Sequence, residues 1–326
     1  MEKYLLTVLG SYVDTMIQAD EYPAKGDFVH GKIVCTSAGG CPFNVGAVTA
    51  SKGVKVKGLD MLGKDEDTTQ FLLSECDRLG IDREHIYIKE GVTNGKVFII
   101  NTGDERTMFI VDPIRPTYVV DEKIQNLLNN ATYIYSLLHM INRSFANLEP
   151  LLSAKKNGAK VIIDGSSKYD DPSRVKILYS LVDGLFINAV DYARLTDASS
   201  KDPKEIIFEN GGEFVCITNG SKGSTLYTKD GQYYEPSLKD VEVIDSTGAG
   251  DSFAGSFIAG LMMGLPYDKV LKLATASGAY ACTVFGGLGG VANLDTLKKF
   301  AKEHNYDLWW HAQKLCFIKR KIKHCD

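Results

Sequence analysis

Several features that would narrow function quickly are absent from this 326-residue chain. There is no Cys-x-x-Cys pair, and the seven cysteines are scattered and odd in number. Neither a disulfide framework nor a standard zinc site is expected, and reduced thiols in a cytoplasm fit better. Positive charge is not in excess: 37 Lys and Arg stand against 41 Asp and Glu, for a net charge of −4. That balance gives no broad attraction for nucleic acid. No apolar run approaches membrane-spanning length. The opening Met1-Glu2-Lys3-Tyr4 has no apolar leader segment, so no secretion signal and no membrane partner are expected. A Gly-x4-Gly-Lys-Ser/Thr loop is missing, which argues against a P-loop enzyme. No internal repeat, low-complexity tract or long linker appears, which favours one domain over residues 1–326.

What is present centres on Asp245-Ser246-Thr247-Gly248-Ala249-Gly250-Asp251. The β-rich run Val241–Ile244 leads in, and a small-residue helix from Ser252 to Met263 leads out. A strand, a glycine turn and a helix start aim backbone N–H groups and a positive dipole end at one spot, a site for phosphate. The stretch reads Gly248-Ala249-Gly250-Asp251-Ser252-Phe253, so it lacks the third glycine of a dinucleotide fingerprint. Asp251 falls in the first helical turn, where the dipole favours its charged form. An ionised acid beside an anion site suits phosphoryl transfer, with the acid taking the proton of an attacking hydroxyl. A plain glycine turn before a buried helix is the competing reading.

The rest of the chain supplies a frame for that site. Residues 4–9 read as a buried strand, and Asp14 follows it; open α/β sheets bind ligands beyond the carboxyl ends of their strands. Ser37 to Asn44, with Gly39 and Gly40, reads as a turn into a helix that starts near Pro42 and stops at Gly53. Cys41 reads as a small packed thiol. A strand is expected over Val54–Leu62, a helix over 65–79, and a short extended piece over His85–Ile88. Segments 12–37 and 94–112, the latter with a hairpin through Val97–Asn101 and Arg106–Val111, are expected to form a small β lid. Strands are then expected near 131–137, 160–164, 183–187 and 213–218. Helices are expected near 121–129, 145–157, 172–180 and 203–209. Such alternation means a parallel sheet with right-handed crossovers. The turns at Asn188–Asp191 and Thr218–Gly223 fall on the same carboxyl edge. After the helix Tyr267–Thr283 comes Val284-Phe285-Gly286-Gly287-Leu288-Gly289-Gly290, whose carbonyls are candidates for holding a cation. Residues 304–326 change character; His311, Cys316, His324 and Cys325 fit no standard zinc spacing.

Taken in this order, the motifs over about residues 4–303 resemble the ribokinase-like (PfkB) carbohydrate kinases. The resemblance rests on Gly39-Gly40 with Asn44, on Gly53 and Gly63, on Asn188-x-x-Asp191 followed by Leu195-Thr196, on Thr218, Gly220 and Gly223, and on Asp245–Asp251. It implies a Rossmann-like, mostly parallel α/β sheet flanked by helices, with a β lid. It further implies ATP as donor, Mg²⁺ as helper and, in many members, a monovalent cation such as K⁺. By position, Asp251 is then the catalytic base, with Gly248, Ala249 and Gly250 as the anion hole. Asp14, Gly39, Gly40 and Asn44 are sugar contacts. Asn188, Thr218, Gly220, Gly223 and Thr275 lie on the nucleotide side, with Asp191 toward Mg²⁺. Asp245, Thr247, Ala281, Val284, Gly286 and Gly290 form the monovalent-cation site. Asp191 stands where the family commonly has Glu. The acid that ribokinases place after the fifth core strand has no clear match, His139 being nearby, which weakens the case for ribose itself.

The expected activity is ATP-dependent phosphorylation of a hydroxyl of a sugar or sugar acid. Two alternatives stand beside it. One is a nucleoside kinase of the same fold, with Phe28, Phe98 or Phe109 stacking on the base; the other is a non-catalytic sugar-binding regulator. Arg106 and Arg115 read as solvated lid charges. The open lid edges invite pairing of two copies into a homodimer.

Overall fold

The computed structural model describes residues 2–8, 10–64, 66–103, 106–165, 179–198 and 201–308. The strands are β1 (Leu5–Val8), β2 (Tyr12–Ala19), β3 (Gly31–Gly39), β4 (Val56–Gly63), β5 (Ile81–Lys89), β6 (Gly95–Asn101), β7 (Arg106–Val111), β8 (Tyr133–Leu137), β9 (Lys160–Gly165), β10 (Gly184–Asn188), β11 (Phe214–Thr218), β12 (Ser224–Thr228) and β13 (Gly231–Glu235). Nine of them form one sheet in the order β13-β12-β11-β10-β9-β8-β1-β4-β5. Pairing is parallel from β5 through β11 and antiparallel only at the β11-β12-β13 edge.

The central strands β1, β8, β9, β10 and β11 are mostly apolar because both faces of the sheet are covered there. Neighbouring residues therefore enter different cores. Leu6, Ile163 and Ile187 join one cluster, while Leu5, Ile162 and Phe186 join the other. The second cluster also takes Phe43, Phe253 and Phe257, so the helices Cys41–Ser51 and Ala249–Met262 lie on that face.

A second sheet, β3-β2-β6-β7, is built from the two excursions expected to leave the main sheet. β2 pairs antiparallel with β3 and parallel with β6, and β6 pairs antiparallel with β7.

Four local expectations are corrected. Val241–Ile244 is not a strand. It has no neighbour to pair with; Val243 and Ile244 are exposed, and the N–H groups of Ile244 and Asp245 both go to the Cys282 carbonyl. The β12–β13 hairpin was not anticipated, although Asp230-Gly231 between two alternating runs is a turn signal. The helix expected near 145–157 is the shorter Glu149–Lys156, and an unexpected one, Leu138–Ser144, precedes it, ending where Phe145 turns extended and bridges to Tyr118. The extended piece at 85–88 is the centre of a full edge strand, β5. The helix expected near 172–180 falls almost wholly outside the described residues, as do His311, Cys316, His324 and Cys325.

Candidate active site

Asp251 is held by the packing of the helix that carries it. Phe257, two turns on, lies 5.1 Å from the Phe186 ring of β10 and 5.0 Å from the Phe214 ring of β11. On the other side the helix crosses Cys41–Ser51 almost backbone to backbone. A Cβ at Gly255 would sit 2.8 Å from the Val45 carbonyl oxygen, and Thr49 Oγ1 donates to the Gly255 carbonyl at 3.0 Å. That crossing brings the two helix N-termini together. Asn44 Nδ2 consequently donates to Asp251 Oδ2 at 2.7 Å.

Asp14 joins them from β2. Burial, and then the negative charge of Asp251, push its carboxyl up to about 6. Its carboxylate lies against Gly39, where a Cβ would come within 2.1 Å of Oδ2. Gly40 is the N-cap residue of the Asn44 helix. Within the described residues, Asp14 Oδ1 and Asn44 Oδ1 are buried acceptors with no hydrogen-bond donor. Burial also raises the pKa of Asp251, against hydrogen bonds from Cys41 and Asn44 that lower it. The helix dipole had suggested a low pKa; desolvation outweighs it.

Gly248 caps the Asp251 helix in the left-handed region, at φ 75° and ψ 2°. The first-turn N–H groups beyond it have no carbonyl partner inside the helix. Beside Gly250 the space is open, with no atom within 4 Å of where a Cβ would stand. A cavity of about 410 Å³ reaches this turn, lined by Ala249 and Gly250 together with Thr218, Gly220, Gly223 and Thr275. Four of the five residues expected on the nucleotide side thus share one cavity with the anion turn. The fifth, Asn188, is paired in register with Thr218 and is tied to Asp191: Nδ2 donates to Asp191 Oδ2 at 2.7 Å, and Asp191 N donates back at 2.9 Å.

Asp245 braces the turn from below. Its Oδ1 accepts from Thr247 N at 2.9 Å and from Thr247 Oγ1 at 2.6 Å, and its Oδ2 accepts from Gly286 N at 2.9 Å. The carbonyl oxygens of Ala281, Val284 and Gly286 converge beside Gly289, lying 2.8, 3.2 and 3.4 Å from the position of a Cβ there. The Gly290 carbonyl accepts from Lys52 Nζ at 3.4 Å and from Ala292 N at 2.8 Å.

Several residues were not singled out for what they do here. Arg106 is not a free lid charge: Nη1 donates to Asp245 Oδ1 at 3.1 Å and also to Thr247 Oγ1. Arg115 likewise pairs with the wholly buried Asp60 at 3.0 Å and donates to the Ser11 carbonyl at 2.9 Å. Gly289 was missed, being visible only as one glycine among several. His139 lines a small cavity with Tyr12, Arg115 and Arg143.

Comparison with known proteins shows the family. Residues 5–292 match the pfkB family carbohydrate kinases. The chain belongs to that family. This PfkB protein is 25% identical over 284 residues to the aminoimidazole riboside kinase of Salmonella typhimurium, covering 82% of this chain and 88% of that one. It is 26% identical over 286 residues to a 5-dehydro-2-deoxygluconokinase of Clostridium perfringens, covering 81% and 84%. Among solved structures it resembles Arabidopsis thaliana ribokinase complexed with ribose and ATP. The TM-score is 0.77 at 21% identity, over 93% of this chain and 99% of that one. A putative ribokinase II from E. coli, in complex with ATP and Mg²⁺, gives 0.75 at 20% identity over 93% and 100%. The PfkB protein is therefore an ATP-dependent carbohydrate kinase. No helix among its described residues is long and apolar enough to cross a membrane.

Proposed function

We propose that this kinase transfers the γ-phosphoryl group of ATP to a hydroxyl of a sugar or sugar acid, with Asp251 as general base. The observation that carries the reading is the 2.7 Å bond from Asn44 to Asp251 beside the charge-coupled Asp14. The buried acceptors Asp14 Oδ1 and Asn44 Oδ1 suit the hydroxyls of a polyol. Asp251 takes the proton of the hydroxyl that attacks the γ-phosphorus. The N–H groups that follow Gly248 meet the charge on the transferring group. ATP occupies the cavity between Thr218, Gly223 and Thr275, its phosphates at Gly250. The β3-β2-β6-β7 sheet acts as the lid that keeps water from the phosphoryl group.

Mg²⁺, when bound, neutralises phosphate charge. Asn188 and Asp191 offer hard oxygen donors on the correct edge and, being bonded to each other, hold the ion through its waters. A monovalent cation such as K⁺ suits the three convergent carbonyls beside Gly289, Asp245 being bonded to Gly286 N and to Thr247. Gly289→Ala puts a methyl group among those oxygens. The variant is expected to lose stimulation by K⁺ in a titration of activity against KCl while still binding ATP. A K⁺ response equal to wild type would remove the cation from this place.

β7 is exposed along its whole length, with Met108, Phe109, Ile110 and Val111 outward enough for a second copy to pair there, giving a homodimer through the lid. One observation favours the nucleoside alternative: Phe98 and Phe109 face each other across β6 and β7 and are both partly exposed. A panel of sugars, sugar acids and nucleosides, scored by acceptor-dependent ADP release, decides. A sugar or sugar acid is expected to give the strongest response. Release with nucleosides alone would move the assignment, and the absence of any acceptor-dependent release would end it.

A further inference from the structure

The glycine loop that follows the helix Tyr267–Ala281 is fastened at its far end by a side chain that the reaction just described does not use. Lys52 is the C-cap residue of the helix Cys41–Ser51 and is only 4% exposed. Its Nζ donates to the Ala292 carbonyl at 2.6 Å, to the Gly290 carbonyl at 3.4 Å and to Ser51 Oγ at 3.1 Å. Ser51 Oγ lies in turn 3.0 Å from the same Ala292 carbonyl and 2.7 Å from the Val48 carbonyl. Two neighbouring side chains at one helix end therefore grip the loop at Gly290 and Ala292.

An ammonium has three hydrogens and no lone pair. Three oxygens receive them here, so every donor of Lys52 is used. Burial, with no carboxylate opposing it, pushes the group down to about 7. An amine buried without a counter-charge costs stability. The negative dipole end of the helix it caps offsets part of that cost. The neutral amine still carries two hydrogens, one for each loop carbonyl, so the grip holds in both forms.

The gripped loop borders both halves of the site. A Cβ at Gly287 would come within 2.9 Å of Asn44 Nδ2, and one at Gly248 within 2.2 Å of the Gly287 carbonyl oxygen. A Cβ at Gly290 would stand 1.9 Å from Oγ of Ser252, the residue after Asp251. The helix Cys41–Ser51 thus meets the loop twice, through Asn44 near its start and through Lys52 at its end.

We infer that Lys52 is a positioning residue, its buried side chain tying the glycine loop to the far end of the helix that carries Asn44 and so holding Gly287 between the anion turn and the sugar-side amide. The functional half of this inference rests on the reading of Asn44 and the Gly248–Asp251 turn given above; the tether itself does not, and the test separates them.

Lys52→Met keeps the length of the side chain and removes every donor. Folding is checked by thermal melts, and amide hydrogen exchange reads the loop without any acceptor. The N–H groups of Gly289 and Val291 bond to the Gly286 and Leu288 carbonyls inside the loop. They are expected to exchange about tenfold faster in the variant, the worth of one lost hydrogen bond, while amides of the helix Tyr267–Ala281 keep their rates. With the sugar or sugar acid that the panel above selects, kcat is expected to fall about 10- to 100-fold. ATP affinity, read by titration, stays within about twofold of wild type because the cavity proposed for ATP is not lined by residues 286–292. Loop exchange at the wild-type rate overturns the tether. A loosened loop with wild-type kcat, or an ATP affinity that falls in step with kcat, overturns the positioning role. If Lys52→Met does not fold, the wild-type protein still decides. Below its pKa, a Lys52 ammonium shared among three protein oxygens gives a slowly exchanging ¹⁵N–H signal, assigned by its loss in Lys52→Arg, and the absence of such a signal overturns the tether. A panel without an active acceptor, or full turnover in Asp251→Asn, ends the proposed reaction instead and leaves the exchange rates to judge the tether.

Discussion

Asp251→Asn is expected to lower kcat by about 10²–10⁴-fold, the usual worth of a positioned general base, while ATP binds as before. The substitution keeps the shape of the side chain and leaves an oxygen for Asn44 Nδ2, so the helix crossing is undisturbed. It removes only the capacity to accept a proton. The cavity proposed for ATP, at Thr218, Gly223 and Thr275, is not lined by Asp251. Single-turnover phosphoryl transfer and ATP titration on the same preparation check both halves, and turnover at the wild-type rate would sink the assignment. The wild-type enzyme carries a related signature. Asp14, at about 6, and the upward-shifted Asp251 must both be ionised for the site to work as described. Activity is therefore expected to fall as pH drops through about 6. The sign for stability is opposite. A carboxyl whose pKa is raised by folding takes up its proton more readily in the folded state. Protonating Asp14 and Asp251 therefore relieves the fold as pH falls from 6 toward 4. Loss of activity in that window should precede any loss of structure, a separation visible in parallel activity and circular dichroism titrations.

The second large effect is expected from Gly248→Ala. The residue sits at φ 75°, which an L side chain adopts at a cost of about 1 kcal/mol or more. The added Cβ would also stand 2.2 Å from the Gly287 carbonyl oxygen, a backbone atom with little room to yield. Gly287 in turn borders Asn44, where a Cβ would come within 2.9 Å of Nδ2. The methyl group thus displaces the anion turn, the glycine loop and the sugar-side amide together. Misplacing one such set of donors costs about 10²–10³-fold in kcat, and that loss is expected with a lowered melting temperature. Wild-type kinetics in this variant would show that the turn does not carry the transferring phosphoryl group.

Much of this architecture could be read before the structure, for a reason particular to each part. β1, β8, β9, β10 and β11 are buried on both faces, so they appear as unbroken apolar runs. The Gly248–Asp251 turn declares itself because its two glycines and its aspartate fall within four consecutive residues. Val241–Ile244 misled because its residues favour strands, while pairing depends on a neighbour that the fold does not provide. Arg106 misled for a related reason: its acceptors Asp245 and Thr247 lie 139 and 141 residues away, so nothing local marks them as partners.

The short passage from Val8, which ends β1, to Tyr12, which opens β2, has a mechanical consequence. Asp14 rides on the small sheet, whereas Asp251 is anchored to the large one through Phe186 and Phe214. The angle between the sheets therefore sets how far apart two like charges stand. In the reaction proposed above, their repulsion would work to swing the sheets apart, and a hydroxyl bonded to both would turn the same geometry into an attraction. Acceptor capture and closure would then be a single event, driven by the charges of Asp14 and Asp251.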